Sequence, residues 1–133
     1  MSGTAIIRYL LANDAGLIAV VPAARIMSGV LPLLTTLPAI GVMQISGVPR
    51  LNIAMGTAAK LVTDRIQVTV EATTYVQAKS ILALVRAACP VSRGTVNGVY
   101  CDSVLPDMEG PDFFDYETSI YSQSQDFIVK FSR

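Results

Sequence analysis

The chain has 133 residues, which is enough for one domain with a sizeable core and too few for two. Apolar residues make up 52% of it and charged residues only 15%, against typical shares of about 45–50% and about 25%, so we expect surplus apolar surface at subunit interfaces. Ten basic residues balance ten acidic ones, which argues against a DNA-binding domain, because such domains usually carry a marked basic excess.

The uncharged stretch between Arg25 and Arg50 is where a membrane span must be considered. Its prolines and glycines interrupt any helix of the roughly 20 residues that a span needs, so we predict loop, strand and loop, and no membrane contact. The N-terminus lacks the basic start of a signal peptide. Cys89 and Cys101 have neither metal-ligand nor redox spacing, which predicts reduced, packed thiols in a cytoplasmic product, with no metal and no cofactor.

The first elements in chain order are predicted from apolar spacing. Apolar residues recur at helical intervals near the start and predict an amphipathic helix that ends near Asn13. Asp14 can cap one more turn. A short strand is expected over 25–28. A strand from Ala39 to Ser46 is predicted to be interior because both of its faces are apolar.

The clearest strand runs directly into the clearest helix. Apolar and polar residues alternate from Asp64 to Ala72, as expected for a strand with one buried face. Thr74 and Gln77 have the spacing of a capping box, and Pro90 stops the helix that follows. The apolar stripe of this helix consists of Ala78, Ile81, Leu82 and Val85.

The last third of the chain predicts two further strands. Asn97-Gly98 is typical of a two-residue hairpin turn and precedes a strand from Val99 to Leu105. Pro106 to Glu117 is predicted as a long excursion, and Ser119 to Phe131 as the closing strand. Together the elements predict a single α+β domain over residues 1–133, with a mostly antiparallel sheet of four to five strands and two main helices packed on one face.

The charges are unevenly distributed along the chain. Through Arg93, eight bases stand against three acids, a net charge of +5, and from Gly94 onward two bases stand against seven acids, a net charge of −5. A surface divided in this way can meet a copy of itself head to tail and so form a ring. The alternative, equally open at this point, is that the two charge sets intermix in the fold.

Histidine and tryptophan are absent from the sequence. The commonest general base and every Ser-His or Cys-His nucleophile pair are therefore missing, no glycine-rich phosphate motif occurs, and we expect no enzyme. The acids from Asp107 to Glu117 could supply carboxylates to a hard cation, but they lack the spacing of a calcium loop. A charge run of this kind favours a solvated or interfacial segment.

Two segments are predicted as subunit or partner interfaces. The connection from Ser46 to Ala59 is long for a compact domain and carries apolar residues, which favours an arm that docks on a neighbour over a hairpin folded back on the core. The stretch from Asp107 to Glu117 combines acids with aromatic anchors. The predicted interface residues are Arg50, Leu51, Ile53, Met55, Arg65, Asp107, Glu109, Asp112, Phe113, Phe114, Asp115 and Tyr116.

The order of elements and several short strings resemble the tail completion, or tail terminator, proteins of long-tailed bacteriophages. These strings are an LLAN-type helix end, RI in a short strand, LPAIGV, DRIQVTVEA running into TTYVQAKSILALVRAA, an NG-containing strand and YSQSQDFIVKF. The resemblance covers about residues 6–131 and includes no catalytic motif.

The resemblance implies a small α+β subunit that forms a ring, typically a hexamer, in the tail-neck region of the virion after assembly in the host cytoplasm. Such a ring stops tube growth, meets the tail tube protein and the head connector, and lets DNA pass through its lumen without specific binding. One alternative is another neck component, such as a head-to-tail adaptor or stopper. The other is a small cation- or ligand-binding domain that uses the 107–117 acid loop.

Overall fold

The computed structural model describes residues 2–32, 35–50, 61–90 and 93–132, with only the backbone of Arg50. Two short helices open the chain: α1 spans Gly3–Ala12 and α2 spans Ala15–Ile18. The side chain of Ser2 caps α1, and Asp14 caps α2 by accepting a hydrogen bond from the backbone N–H of Leu17 at 3.0 Å. The first helix and its capped extra turn are therefore confirmed.

One sheet contains every strand that the structure describes. The strands are β1 Ile26–Ser28, β2 Ala39–Arg50, β3 Leu61–Ala72, β4 Gly94–Val96, β5 Val99–Glu109, β6 Phe113–Asp115 and β7 Ile120–Ser132, and helix α3, Tyr75–Ala88, follows β3 in the chain. Their order in space is β1-β2-β3-β7-β5-β4, with β6 paired to β7. Only β1 and β2 pair in parallel. The α+β class with a mostly antiparallel sheet is confirmed, with seven strands where four to five were expected.

Helices α1 and α3 cover the same face of the sheet. Thr74 caps α3 by accepting a hydrogen bond from the backbone N–H of Gln77 at 3.2 Å. The apolar stripe of α3 is buried as predicted, and it packs in one core with the buried residues of α1. Full burial of an isoleucine or leucine side chain stabilises the fold by about 1.5–3 kcal/mol. The buried leucines and isoleucines of this helical layer are Ile6, Ile7, Leu11, Ile81 and Leu82.

The central strands β3 and β7 pair along their whole length, from Leu61 opposite Ser132 to Ala72 opposite Tyr121. Every second residue of β3 is buried on the helix side, as the alternation predicted. Phe127 of β7 lies opposite Ile66 and is buried on the same side. The other side, which we call the open face, is mainly polar in β3. In β3 it carries Thr63, Arg65, Gln67, Thr69 and Glu71.

Asp64 is the charged exception on the buried side of β3. Its carboxylate accepts a hydrogen bond from the backbone N–H of Gly3, the first residue of α1, at 3.0 Å, where the N-terminus of the helix favours negative charge. A Cβ atom at Gly3 or at Gly47 would lie within 2.7 Å of this carboxylate. Glycine at both positions therefore allows α1 and β2 to approach Asp64 closely.

Strands β4 and β5 form a hairpin whose turn is Asn97-Gly98, as predicted. Both turn residues have positive φ, at 49° and 81°, which matches the twist of the flanking strands. Strand β4 has only three residues and is absent from the predicted elements, because so short a strand shows no alternation.

Strands β5 and β6 correct the prediction for the acid stretch. Pro106 to Glu109 continue β5, and Phe113–Asp115 pair with β7 as β6, so the predicted long excursion from Pro106 to Glu117 is wrong over much of its length. Pro106 lies where β5 has a described strand on one side only, and prolines within sheets are found at such edge positions.

Strand β2 is longer and less buried than predicted. It continues through Ser46 to Arg50 and pairs with β3 down to Leu61, so the connection expected to begin at Ser46 begins after Arg50. Residues 39–42 are buried, whereas residues 43–49 are exposed. The prediction of an interior strand holds beside β1 and is wrong beyond it, where β2 becomes an edge.

Cys89 and Cys101 are free and buried, as predicted. Within the ranges described above, no helix combines the length and the apolar character that crossing a membrane requires.

Candidate assembly surfaces

Bases from the first part of the chain pair with acids from the last part. The pairs include Arg65–Asp107 at 2.8 Å, Lys79–Asp112 at 2.6 Å and Arg86–Glu109 at 2.7 Å. Of the two arrangements that the sequence left open, these contacts favour intermixing of the charge sets. Much of the charge asymmetry along the chain is neutralised within one subunit, so it does not by itself produce a positive and a negative side.

Arg65 joins three strands across the open face. Its Nε and Nη2 atoms both lie 2.9 Å from Oδ2 of Asp126 on β7, and Nη2 lies 2.8 Å from Asp107 on β5. The side chain of Asp126 is only 7% exposed. Removing the base that pairs with a buried carboxylate strongly destabilises the folded state. Arg65 is thus engaged within its own subunit, and its role at an interface stays a prediction.

An aromatic cluster, formed by Tyr75, Phe114, Tyr116 and Tyr121, lies at the end of the sheet where β6 pairs with β7. The ring centroid of Phe114 lies 4.5 Å from that of Tyr121 and 4.9 Å from that of Tyr116, distances typical of favourable aromatic pairs. Tyr116 is nevertheless 88% exposed, and Phe113 beside the cluster is 63% exposed. This end of the subunit, the aromatic end, therefore presents large apolar rings to solvent.

Lys79 of α3 fixes the segment that leads into β6. Its ammonium lies 2.6 Å from the carboxylate of Asp112 and donates a hydrogen bond to Gln123 at 2.6 Å. Gln123 in turn donates to the carbonyl of Gly110 at 2.8 Å, and the Tyr75 hydroxyl donates to Asp112 at 3.0 Å. The hydrogen bond between Lys79 and Asp112 raises the pKa of the lysine and lowers the pKa of the aspartate. The aromatic rings are thus displayed on a segment with several anchors.

Glu71, Asp115 and Glu117 line a cleft of about 630 Å³ at the aromatic end. Its other described lining residues are apolar or neutral, among them Leu31 and Ile120, and none of them is a lysine or arginine. Burial raises the pKa of Glu71, because removing a carboxylate from water disfavours its charged form. The acids in this cleft, unlike those paired with Lys79 and Arg86, give the surface a local negative charge.

The predicted interface residues fall toward opposite ends of the sheet. The 12 residues of β3 span about 36 Å at about 3.3 Å per residue, with Ala72 at the aromatic end and Leu61 opposite Arg50 at the far end. Asp112, Phe113, Phe114, Asp115 and Tyr116 lie together at the aromatic end, Asp107 and Glu109 lie along β5, and Leu51, Ile53 and Met55 lie outside the described residues.

The part of the chain that the structure describes contains no group of three or more His, Cys, Asp or Glu side chains placed to hold a metal ion. Burial raises the pKa of both thiols, Cys89 and Cys101, which lowers the share of reactive thiolate.

Sequence reasoning missed several residues of these surfaces. Asp126 lies in a strand that was predicted correctly, but its partner Arg65 is 61 residues away, and no local pattern joins them. Tyr75 and Tyr121 meet because Ala72 pairs with Tyr121. The signal that could have found the second contact is the position of Tyr75 directly after β3, since any strand paired with the end of β3 must lie near it.

Comparisons with known proteins give a match in fold. No protein-family model matches the chain, and no curated protein matches it. Eighteen chains of solved structures do match. One is a chain of the virion of a native gene transfer agent particle, at 14% sequence identity and a TM-score of 0.70, over 99% of this chain and 96% of that chain. At this identity the match establishes a shared fold over nearly the full length of both chains.

Proposed function

We propose that this chain is a structural, non-enzymatic subunit of a phage-like virion, a tail terminator that forms a hexameric ring on the head-proximal end of the tail tube. The ring ends tube growth and joins the tail to the head connector. The observation that carries the proposal is the fold shared with a chain of a gene transfer agent virion over 99% of this chain. The resemblance of the sequence to tail terminators supports the same function independently.

The two ends of the sheet support a subunit that stands between different partners. The aromatic end carries exposed rings and a cleft lined by the carboxylates of Glu71, Asp115 and Glu117, whereas the far end carries the β2–β3 hairpin. In a ring, every subunit has the same orientation, so each rim would display one of these ends. One rim would then contact the tube protein and the other the head connector.

The open face suits the lining of a lumen through which DNA passes. Its described bases on β3 and β7 are Arg65 and Lys130, and Arg65 is already paired with Asp107 and Asp126. Affinity for DNA depends chiefly on bases that neutralise phosphates. A lumen of this composition would hold DNA weakly and let it slide.

Two alternatives differ in their support. Another neck component, a head-to-tail adaptor or stopper, would have the same location in the virion. The phenotype of a gene deletion distinguishes it from a terminator. A cation site in the 107–117 segment is disfavoured, because Asp107, Glu109 and Asp112 are already neutralised by bases.

The test is to delete the gene for this chain from its particle-producing genome and to measure tail lengths and head attachment by electron microscopy. A terminator predicts tails of uncontrolled length without heads, restored by complementation with the intact gene. Tails of normal length that lack heads would identify an adaptor or stopper instead. Intact particles of normal infectivity or transfer would contradict every virion role.

A further inference from the structure

Strands β2 and β5 each have a long edge that no strand in the described part of the chain pairs with. Strand β1 pairs with β2 only at residues 40–42, and β4 pairs with β5 only at residues 99–101. Among the described strands, none lies on the outer side of Met43–Arg50 or of Asp102–Glu109. Their outward backbone N–H and C=O groups are available to another strand.

The directions of the strands allow these two edges to meet. Strands β2, β3, β7 and β5 are neighbours in that order, and each pair is antiparallel. Strand β5 therefore runs opposite to β2. When a second copy in the same orientation is placed beside the first, its β5 lies antiparallel to the first copy's β2, which is the arrangement that antiparallel pairing requires.

The two free edges also lie at the same height in the sheet. Ser46 is in register with Arg65, which is opposite Ile128, which is opposite Leu105. By the same steps Val48 is level with Ser103. Paired residues share a face, so Ser46, Val48, Ser103 and Leu105 all belong to the open face. An edge-to-edge contact in this register would continue the open face from one copy to the next.

The side chains along the two edges are complementary. Met43, Ile45 and Val48 of β2 are 42%, 51% and 59% exposed, and Leu105 and Met108 of β5 are 55% and 59% exposed. Such apolar edges are a liability in a monomer and become buried when strands pair. Charge adds little to this match, because Asp107 and Glu109 on β5 already pair with Arg65 and Arg86 of the same subunit, at 2.8 Å and 2.7 Å.

Two prolines limit the pairing without preventing it. Pro49 and Pro106 have no N–H to donate, and prolines of this kind are one means of protecting sheet edges. The proline-free segments Met43–Val48 and Asp102–Leu105 remain, and they include the residues that the register places level with one another. The contact is therefore expected to be centred on Ser46–Val48 and Ser103–Leu105.

From these observations we infer that subunits join by pairing the free edge of β2 in one copy with the free edge of β5 in the next copy, so that the sheet continues around a closed ring. This inference rests on the proposed function, which includes a ring, and adds the contact by which neighbouring subunits close that ring. Each subunit contributes one edge of each kind, which makes the contact heterologous, as ring closure requires. The open faces then form one continuous inner wall, and α1 and α3 lie outside.

Disulfide trapping tests this contact. The double variants Ser46→Cys/Leu105→Cys and Val48→Cys/Ser103→Cys are purified, oxidised with a mild thiol oxidant and separated on denaturing gels without reductant. Each cysteine pair is too far apart within one subunit, on different outer strands, to close internally. We expect a ladder of covalent oligomers ending at one closed species and collapsing with reductant. Two further variants, Met43→Cys/Leu105→Cys and Val48→Cys/Leu105→Cys, cover registers shifted along the strands.

The matched control is Val76→Cys/Leu105→Cys, because Val76 is 73% exposed but lies on α3, away from both edges. It should give no ladder, and neither should Ser46→Cys or Leu105→Cys alone. If none of the four edge pairs gives a ladder beyond the control, edge pairing is refuted. The proposed function is tested separately, by the tail phenotype of the gene deletion. If the deletion gives tails of uncontrolled length but the cysteine variants form no disulfide-linked oligomers, the terminator function stands and this mode of ring closure is refuted.

Discussion

The contact between Arg65 and Asp126 leads to the sharpest stability prediction. Arg65→Met keeps a long, unbranched side chain but removes the guanidinium, which leaves the carboxylate of Asp126, only 7% exposed, without its base. Removing one partner of a buried ion pair costs about 3–5 kcal/mol. Because the Arg65 side chain is 31% exposed, water can partly replace the guanidinium, and we expect a loss of about 2–3 kcal/mol.

Arg86→Met is the matched control for this variant. It removes the same group from a pair in which Arg86 and Glu109 are 40% and 47% exposed, where loss of the contact costs about 0–1 kcal/mol. Urea unfolding followed by circular dichroism measures both variants against the unmodified protein. The double variant Arg65→Met/Asp126→Asn should recover part of the loss, because no buried charge is then left alone.

Equal losses for Arg65→Met and Arg86→Met would refute this reasoning. They would show that Asp126 is satisfied without Arg65, and that burial of one partner does not decide the strength of these pairs. A failure of the Asp126→Asn change to recover any stability would locate the loss in the packing of the arginine stem instead.

Further predictions concern single sites. Gly98→Ala should destabilise the protein by about 1–2 kcal/mol, because φ at this turn is +81°; thermal unfolding measures it, and an unchanged midpoint would contradict the turn geometry. Burial raises the pKa of Glu71 above its ordinary value of 4.5, so its charge destabilises the folded state above the folded pKa; Glu71→Gln should be the more stable form at pH 7, and the advantage should vanish below about pH 4.5. Cys89 and Cys101 are buried and should react with a disulfide reagent at pH 8 only after unfolding, so rapid labelling of the native protein would contradict their burial. Tyr116 has a side chain that is 88% exposed, so Tyr116→Ala should change the free energy of unfolding by less than about 0.5 kcal/mol. It should nevertheless lower the yield of completed tails about tenfold or more, as loss of an interface anchor does. A normal yield of tails would show that the Tyr116 side chain is not part of an interface.

Strong local patterns predicted the main elements. The alternation of β3, the capped stripe of α3 and the Asn97-Gly98 turn are each visible within a dozen residues, and the structure confirms them. Strand β6 was not predicted, because it has only three residues and follows Gly110 and Pro111, which are typical of a loop. The extension of β2 was not predicted for a similar reason. Gly47 and Pro49 are typical of turns, and only their pairing with β3 shows that they belong to a strand.

The sequence predicted which residue types form the candidate surfaces, but not how these residues are arranged in space. The acids and aromatic rings of residues 107–117 were identified from sequence, but their anchoring by Lys79 depends on how α3 packs over β7. The same holds for Arg65, whose two partners reach it only through pairing of β3 with β7 and of β7 with β5. Contacts of this kind follow from topology, which local periodicity does not encode.

Strand β7 follows all the other described strands in the chain, yet it lies in the middle of the sheet, between β3 and β5. Its pairing with β3 closes loops of about 50–70 residues, which makes this step slow compared with formation of the local hairpins. Until β7 pairs with both β3 and β5, no described strand joins the β1-β2-β3 unit to the β4-β5 hairpin. In the proposed ring, a chain that has not finished folding would not present both outer edges at one height, so pairing of β7 would have to come before assembly.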